Sequence, residues 1–218
     1  MTTDFIRPRL VLATTLLPDG KAGMDAMKRA LSGGDVASVL IEANGRADAA
    51  FQDFAEGLVP IIQEAGAAAI VVDDTRCAGR VKADGVHVTG GDLEELGEAL
   101  SRFSPRLIVG TSGFAGRHEA LEAGEKMPDY LMFGSLGSDV DDAADADALD
   151  LAAWWAQIVE VPAILVGGGA LDQLAPAGES GVEFIVLSRA VFGQEGSEAE
   201  AVAAANAVFD ELEGRLAG

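Results

Sequence analysis

Short apolar runs and helix-like stretches alternate along this chain almost without a break. The runs cover residues 10–15, 36–41, 67–72, 85–88, 106–110, 130–134, 163–167 and 184–188. They are rich in Val, Ile and Leu and scarcely alternate in polarity, as strands buried on both faces should be. Between them lie candidate helices at 23–31, 49–65, near 76–80, 93–103, 117–124, 149–158, 171–180 and 197–215. Many of these stop at or near a glycine, a common C-terminal signal. Eight strand–helix pairs in series predict an α/β chain folded as a (β/α)8 TIM barrel. A doubly wound open sheet shares the periodicity, but the count of eight favours the barrel. No linker divides the chain, so residues 1–218 read as a single domain.

Composition narrows the partners. The chain is 49% hydrophobic, enough for one large core, and carries a formal charge of −21. Such a field repels nucleic acid and anionic membranes. It also repels free phosphorylated molecules, so a phosphate site here must be built from local amides, a metal or a few cations. The single Cys77 excludes an internal disulfide. The start MTTDFIRPRL has no apolar signal core, and no run reaches membrane-spanning length. A cytoplasmic protein is expected. Residues 139–148, with five aspartates, read as too acidic to pack and as a mobile loop above the barrel mouth, either a solvated spacer or a metal-attracting lid. Trp154-Trp155 reads as helix–sheet packing or a subunit contact, compatible with a homodimer.

Three constellations could carry chemistry. Asp73, Asp74 and Asp92 fall just past the ends of neighbouring strands, the face where barrel enzymes act. Asp73 and Asp92 could share Mg²⁺, which takes hard oxygen ligands and often bridges to substrate phosphate. Alternatively, Asp74 and Asp92 simply cap the helices that follow, Asp92 within a capping-box-like Asp-x-x-Glu pattern. Next, Gly167-Gly168-Gly169-Ala170 after the seventh strand and Ser188-Arg189-Ala190 after the eighth predict an amide cradle for phosphate, with Arg189 adding charge. The bland alternative is a tight turn; position favours the cradle. Last, Gly110-Thr111-Ser112-Gly113 reads as a turn whose Ser112 hydroxyl could line the mouth. His87, inside a strand pattern, reads as packed and hydrogen-bonded; an isomerase with Asp73 or His87 as general base is the outside reading. His118 reads as exposed.

These residues resemble the thiamine-phosphate synthase and thiazole tautomerase superfamily. The likeness runs from about Leu10 to Phe192 and is densest over Ile70–Asp92, where IVVDD, KADGVHV and the closing Asp stand at the family's spacing. Ala30-Leu31-Ser32-Gly33-Gly34, Pro128-Asp129-Tyr130, Val161-Pro162 and Gly167-Gly168 also fit. The resemblance implies a (β/α)8 barrel, Mg²⁺ on Asp73 and Asp92, and a thiazole-phosphate cradle at Gly168 and Arg189-Ala190. It implies a phosphorylated small-molecule ligand and, if active, the joining of pyrimidine pyrophosphate to thiazole phosphate. The chain departs from the pattern where charge matters. The Gln-Leu-Arg-Glu-Lys-like stretch after the second strand is Val39-Leu40-Ile41-Glu42-Ala43, keeping only Glu42. Val72 replaces an asparagine, Ser112-Gly113-Phe114 replaces a histidine-bearing turn, and Asp139, Asp141 and Asp142 stand where threonines and a lysine are usual. Weak or absent standard activity is therefore expected, with a non-catalytic ligand-binding paralogue as the alternative.

Overall fold

A computed structural model describes residues 5–216. The eight strands close into one parallel barrel in chain order. They are β1 (Arg9–Ala13), β2 (Ser38–Ile41), β3 (Ala68–Val72), β4 (Gly85–Val88), β5 (Ile108–Ser112), β6 (Tyr130–Phe133), β7 (Ala163–Val166) and β8 (Phe184–Leu187). The helices outside are α1 (Gly20–Ser32), α2 (Asp48–Glu64), α3 (Thr75–Val81), α4 (Leu93–Phe103), α5 (Arg117–Gly124), α6 (Ala146–Ile158), α7 (Ala175–Gly178), α8 (Arg189–Phe192) and α9 (Glu198–Leu216). β8 pairs with β1, Val11 opposite Val186, and so removes both sheet edges.

The unalternated strand pattern has a simple cause: both faces of every strand are covered. Along β1, Leu10 and Leu12 point out to the helices while Val11 and Ala13 point into the barrel. The interior is filled by Val11, Leu40, Ile70, Met132, Ile164 and Val186, among others, and is a packed core rather than a pore. Trp155 of α6 is fully buried, packs on Phe133 and donates its indole N–H to Val161 O at 2.7 Å. The packing role read for the tryptophan pair is what Trp155 performs.

Several boundaries differ from the sequence pattern. β5 starts two residues later than expected, because the N–H groups of Arg106 and Leu107 still bond back to Phe103 O. It then continues through Ser112, so Gly110-Thr111-Ser112 is strand, not turn; only Gly113 leaves it. The stretch 171–180 is broken into a 3-10 turn, Leu171–Gln173, and α7. Pro176 accounts for the break, since its ring collides with the carbonyl four residues back in a continuous helix. α8 was not anticipated at all. α6 begins three residues early because the Asp145 carboxylate caps it at Ala148 N–H, 2.9 Å.

Acids set under the barrel hold neighbouring strands together. Asp84, just before β4, accepts from Ala69 N–H of β3 at 2.8 Å. Asp129, just before β6, accepts from Val109 N–H of β5 at 2.7 Å. Glu183, just before β8, accepts from Ala163 N–H of β7 at 2.8 Å. Each clamp meets a strand amide at the end of the barrel opposite the mouth. A charged acceptor makes such a bond worth about 1.5–3 kcal/mol. Asp84→Ala should therefore cost about 2 kcal/mol in urea unfolding, and Asp84→Asn, which keeps an acceptor, clearly less.

Gly110 meets a different demand. A Cβ there would lie 1.9 Å from Tyr130 Cζ, so the ring of Tyr130 crosses the barrel interior only because position 110 has no side chain. Gly110→Ala should lower stability by about 3 kcal/mol, the upper range for overpacking, measured as a fall in unfolding midpoint at unchanged denaturant slope.

Candidate functional site

The loops leaving the C-terminal strand ends build the mouth. Asp73 follows β3 in the left-handed region (φ 58°), and its N–H still pairs with His87 O at 2.9 Å. That twist turns its carboxylate toward the β4 exit, where it accepts from Thr89 N–H at 2.8 Å and from the Thr89 hydroxyl at 2.7 Å. Asp74 caps α3, accepting from the N–H groups of Arg76 (3.0 Å) and Cys77 (2.9 Å). Asp92 caps α4, accepting from Glu94 (2.8 Å) and Glu95 (3.1 Å) through one oxygen. Both capping alternatives read from the sequence are thus realised. Among the described residues no three His, Cys, Asp or Glu side chains converge as a metal site. Asp73 and Asp92 remain exposed carboxylates with lone pairs to spare, a donor chemistry that suits Mg²⁺, which commonly uses only one or two carboxylates plus water and phosphate.

Glu42, after β2, is half-buried on the same rim. It accepts from the Thr15 hydroxyl, and its N–H donates to the Thr14 hydroxyl at 3.1 Å. Burial pushes its carboxyl above the usual range; Thr15 and Arg46 oppose this, while Asp139 and Asp73 add to it. Arg46 is the basic residue that follows. Its guanidinium lies over the Phe54 ring at 3.9 Å and bonds Asp19, Leu17 O and Ala43 O, so it braces the β1 and β2 loops.

Ser112 ends β5 with its side chain inside the barrel and 4% exposed. Its hydroxyl lies 2.9 Å from His87 Nε2, and His87 Nδ1 lies 2.9 Å from the Tyr130 hydroxyl. A neutral imidazole donates with one nitrogen and accepts with the other, and either hydroxyl can serve either role. His87 is fully buried and stacks on Tyr130 with 5.5 Å between ring centroids. His118, as expected, is exposed.

The glycine triplet and the β8 exit do come together, around an acid the sequence reading had placed in a mobile loop. Asp139 is 5% exposed. Its Oδ2 accepts from Ser188 N–H at 3.2 Å and Arg189 N–H at 2.5 Å, and its carbonyl accepts from Arg189 Nε at 3.0 Å. Gly169 N–H donates to Asp141 O at 2.7 Å and Ala170 N–H to Asp142 O at 3.1 Å. Gly167 N–H continues the ladder to Val186 O, and Ala190 sits half-buried in α8. The run read as too acidic to pack is therefore anchored at its first residue: two backbone amides meet the buried Asp139 carboxylate, while Asp141 and Asp142 keep their side chains exposed. Nothing in the run of aspartates singles out position 139. Beside this loop a cavity of about 280 Å³, lined by Phe114, Met132, Phe133, Asp147 and Leu151, opens between the β5 and β6 exits and α6.

Burial lowers the His87 pKa to about 4. In the unfolded chain it is about 6.5. As pH falls below about 6.5 the unfolded state takes up a proton that the folded state refuses, so stability falls, levelling off below about 4. Between pH 7 and 5 the loss should be about 2 kcal/mol in urea titrations. His87→Gln should flatten that segment of the profile.

Comparisons with known proteins agree with this architecture. The family model described as thiamine monophosphate synthase matches residues 10–191. The thiamine-phosphate synthase of Hyphomonas neptunium is 31% identical over 94% of this chain and 96% of its own length. That of Erythrobacter litoralis is 38% identical over 69% of this chain and 70% of its own. Among solved structures, a thiamine phosphate pyrophosphorylase from Pyrococcus furiosus superposes with TM-score 0.77 at 25% identity, covering 94% of this chain and 97% of that one. On the strength of the barrel, the mouth and an almost end-to-end match, this chain belongs to the thiamine monophosphate synthase family.

Proposed function

We propose that this chain acts in thiamine biosynthesis as a thiamine-phosphate synthase of weak turnover, joining a pyrimidine pyrophosphate to thiazole phosphate. The observation that carries the reaction class is the end-to-end correspondence with thiamine-phosphate synthases. The basic groups at the mouth carry the expectation of weakness. Arg46 is committed to the β1 and β2 loops, and Arg189 to Asp139.

The family reaction expels pyrophosphate from the pyrimidine substrate, and the thiazole nitrogen captures the cationic carbon. Charge grows on the leaving group as the bond breaks, and fixed positive groups lower that barrier by several kcal/mol where present. In this reading Asp73 and Asp92 would hold Mg²⁺, which when bound neutralises phosphate charge and orients the leaving group. The amides of Gly168, Gly169, Ser188, Arg189 and Ala190 would face the thiazole phosphate, with Gly167 setting the turn that presents them. Ser112, aligned by His87, would line the floor. Glu42 and the acidic rim disfavour a pyrophosphate without a metal between them, which is the physical reason for slow chemistry.

A second reading is a non-catalytic paralogue that binds a phosphorylated ligand, favoured by the engagement of Arg189 in a structural contact. Direct assay separates the two. Incubation with both precursors and Mg²⁺ should yield thiamine phosphate slowly, and chelation or Asp73→Asn should reduce the yield at least ten-fold. Turnover in the ordinary enzyme range of about 1 s⁻¹ or more would refute the weakness. No product, with calorimetric binding of thiazole phosphate retained, would favour the paralogue.

A further inference from the structure

The β6–α6 loop does something that neither reading requires. From the strand end it crosses the mouth, and Leu136 packs down on the barrel's interior cluster. Asp139 then places a carboxylate oxygen on the Ser188 and Arg189 amides, while the carbonyls of Asp141 and Asp142 take the Gly169 and Ala170 amides. Each of these acceptors is an oxygen, and each sits on an N–H that an entering phosphate would need. The fit is close. A Cβ on Gly168 would stand 2.1 Å from Asp142 O, and one on Gly169 would stand 3.0 Å from Asp139 O. Here the glycines admit the chain's own loop.

We propose that the strap from Leu136 to Asp142 is an internal stand-in for a ligand phosphate, so that a phosphate ester reaches the cradle only when the strap lifts. This rests on the reading of the mouth as a site for a phosphorylated ligand. The strap is built to move. Gly134 (φ 88°) and Gly137 (φ 79°) flank its anchor in the left-handed region, and Val140 is 63% exposed. Its hold is local: one leucine, one carboxylate and the backbone carbonyls of Asp139, Asp141 and Asp142, with the Asp141 and Asp142 side chains exposed. Closure leaves the Asp139 carboxylate repelling that of Glu42, a like-charge interaction that lifting relieves. Lifting also frees Arg189, whose Nε is held by Asp139 O, so the event that exposes the amides supplies the cation. The strap is thus an autoinhibitory contact, and the apparent affinity for phosphate is reduced by the fraction of closed molecules.

The test titrates inorganic phosphate into the full chain, by calorimetry and by the amide resonances of Gly169, Ala170, Ser188 and Arg189. Asp139→Ala and Leu136→Ala should each tighten phosphate binding at least ten-fold over the parent, with Asp139→Asn between. The shifts should centre on those four amides. Leu136→Ala leaves every cradle atom in place, so it keeps the test valid if Asp139→Ala fails to fold. Equal affinity in the parent and the folded variants, no phosphate binding by any folded variant, or tightening without perturbing those amides, would overturn the strap. Because the probe is inorganic phosphate and not turnover, absent thiamine phosphate synthesis would refute the proposed activity and leave this result standing.

Discussion

The closed register of the barrel is the constraint on which everything else rests. A parallel barrel keeps its mouth only if all eight strands end level enough for their loops to meet. Here Asp84, Asp129 and Glu183 fasten β4, β6 and β8 to the strands before them from below. Two of the stretches that carry the family likeness, KADGVHV and Pro128-Asp129-Tyr130, contain these clamps. Part of that likeness is therefore a signature of stability at the closed end, not of chemistry at the open one.

Above that scaffold the interior changes character. Much of the interior is aliphatic, but His87 of β4 and Ser112 at the end of β5 form a satisfied polar cluster with the hydroxyl of Tyr130, whose ring rises from the start of β6. Among the described residues no buried side-chain nitrogen or oxygen lacks a partner. Two near-contacts of backbone make this geometry possible: Gly110 yields to the Tyr130 ring, and Gly91 lies so close to Gly113 that a Cβ on the former would stand 2.6 Å from Gly113 O. The imidazole is held neutral by burial, with Asp73 opposing the shift only in part. It acts as a positioner of Ser112 at the floor of the mouth.

The rim is dominated by acid. Glu42, Asp73, Asp92 and Asp139 sit on separate loops, and each is tied to a hydroxyl or backbone amide of its own. A chain with net charge −21 can hold such a rim together because the partners are neutral donors, which salt screens little when partly buried.

How much of this was legible from the residues varies by element. Strand and helix identity was written in the alternation of apolar runs, because burial of both strand faces leaves a local trace. Asp74 and Asp92 could be read as caps because an acid before a helix acts within three residues. The β5 limits were misread because the extra turn after α4 depends on Phe103 O, and the break at Pro176 because the pattern ignores the proline's missing donor. The fate of Asp139 was not legible, since its partners Ser188 and Arg189 lie about fifty residues on. By itself the sequence determined the barrel, its family and the acidity of the loops, all of which follow from local composition and spacing. Only the tertiary structure decided where the acids point, because long-range hydrogen bonding, not residue type, fastened Asp139 of a loop expected to be mobile to the amides at the β8 exit.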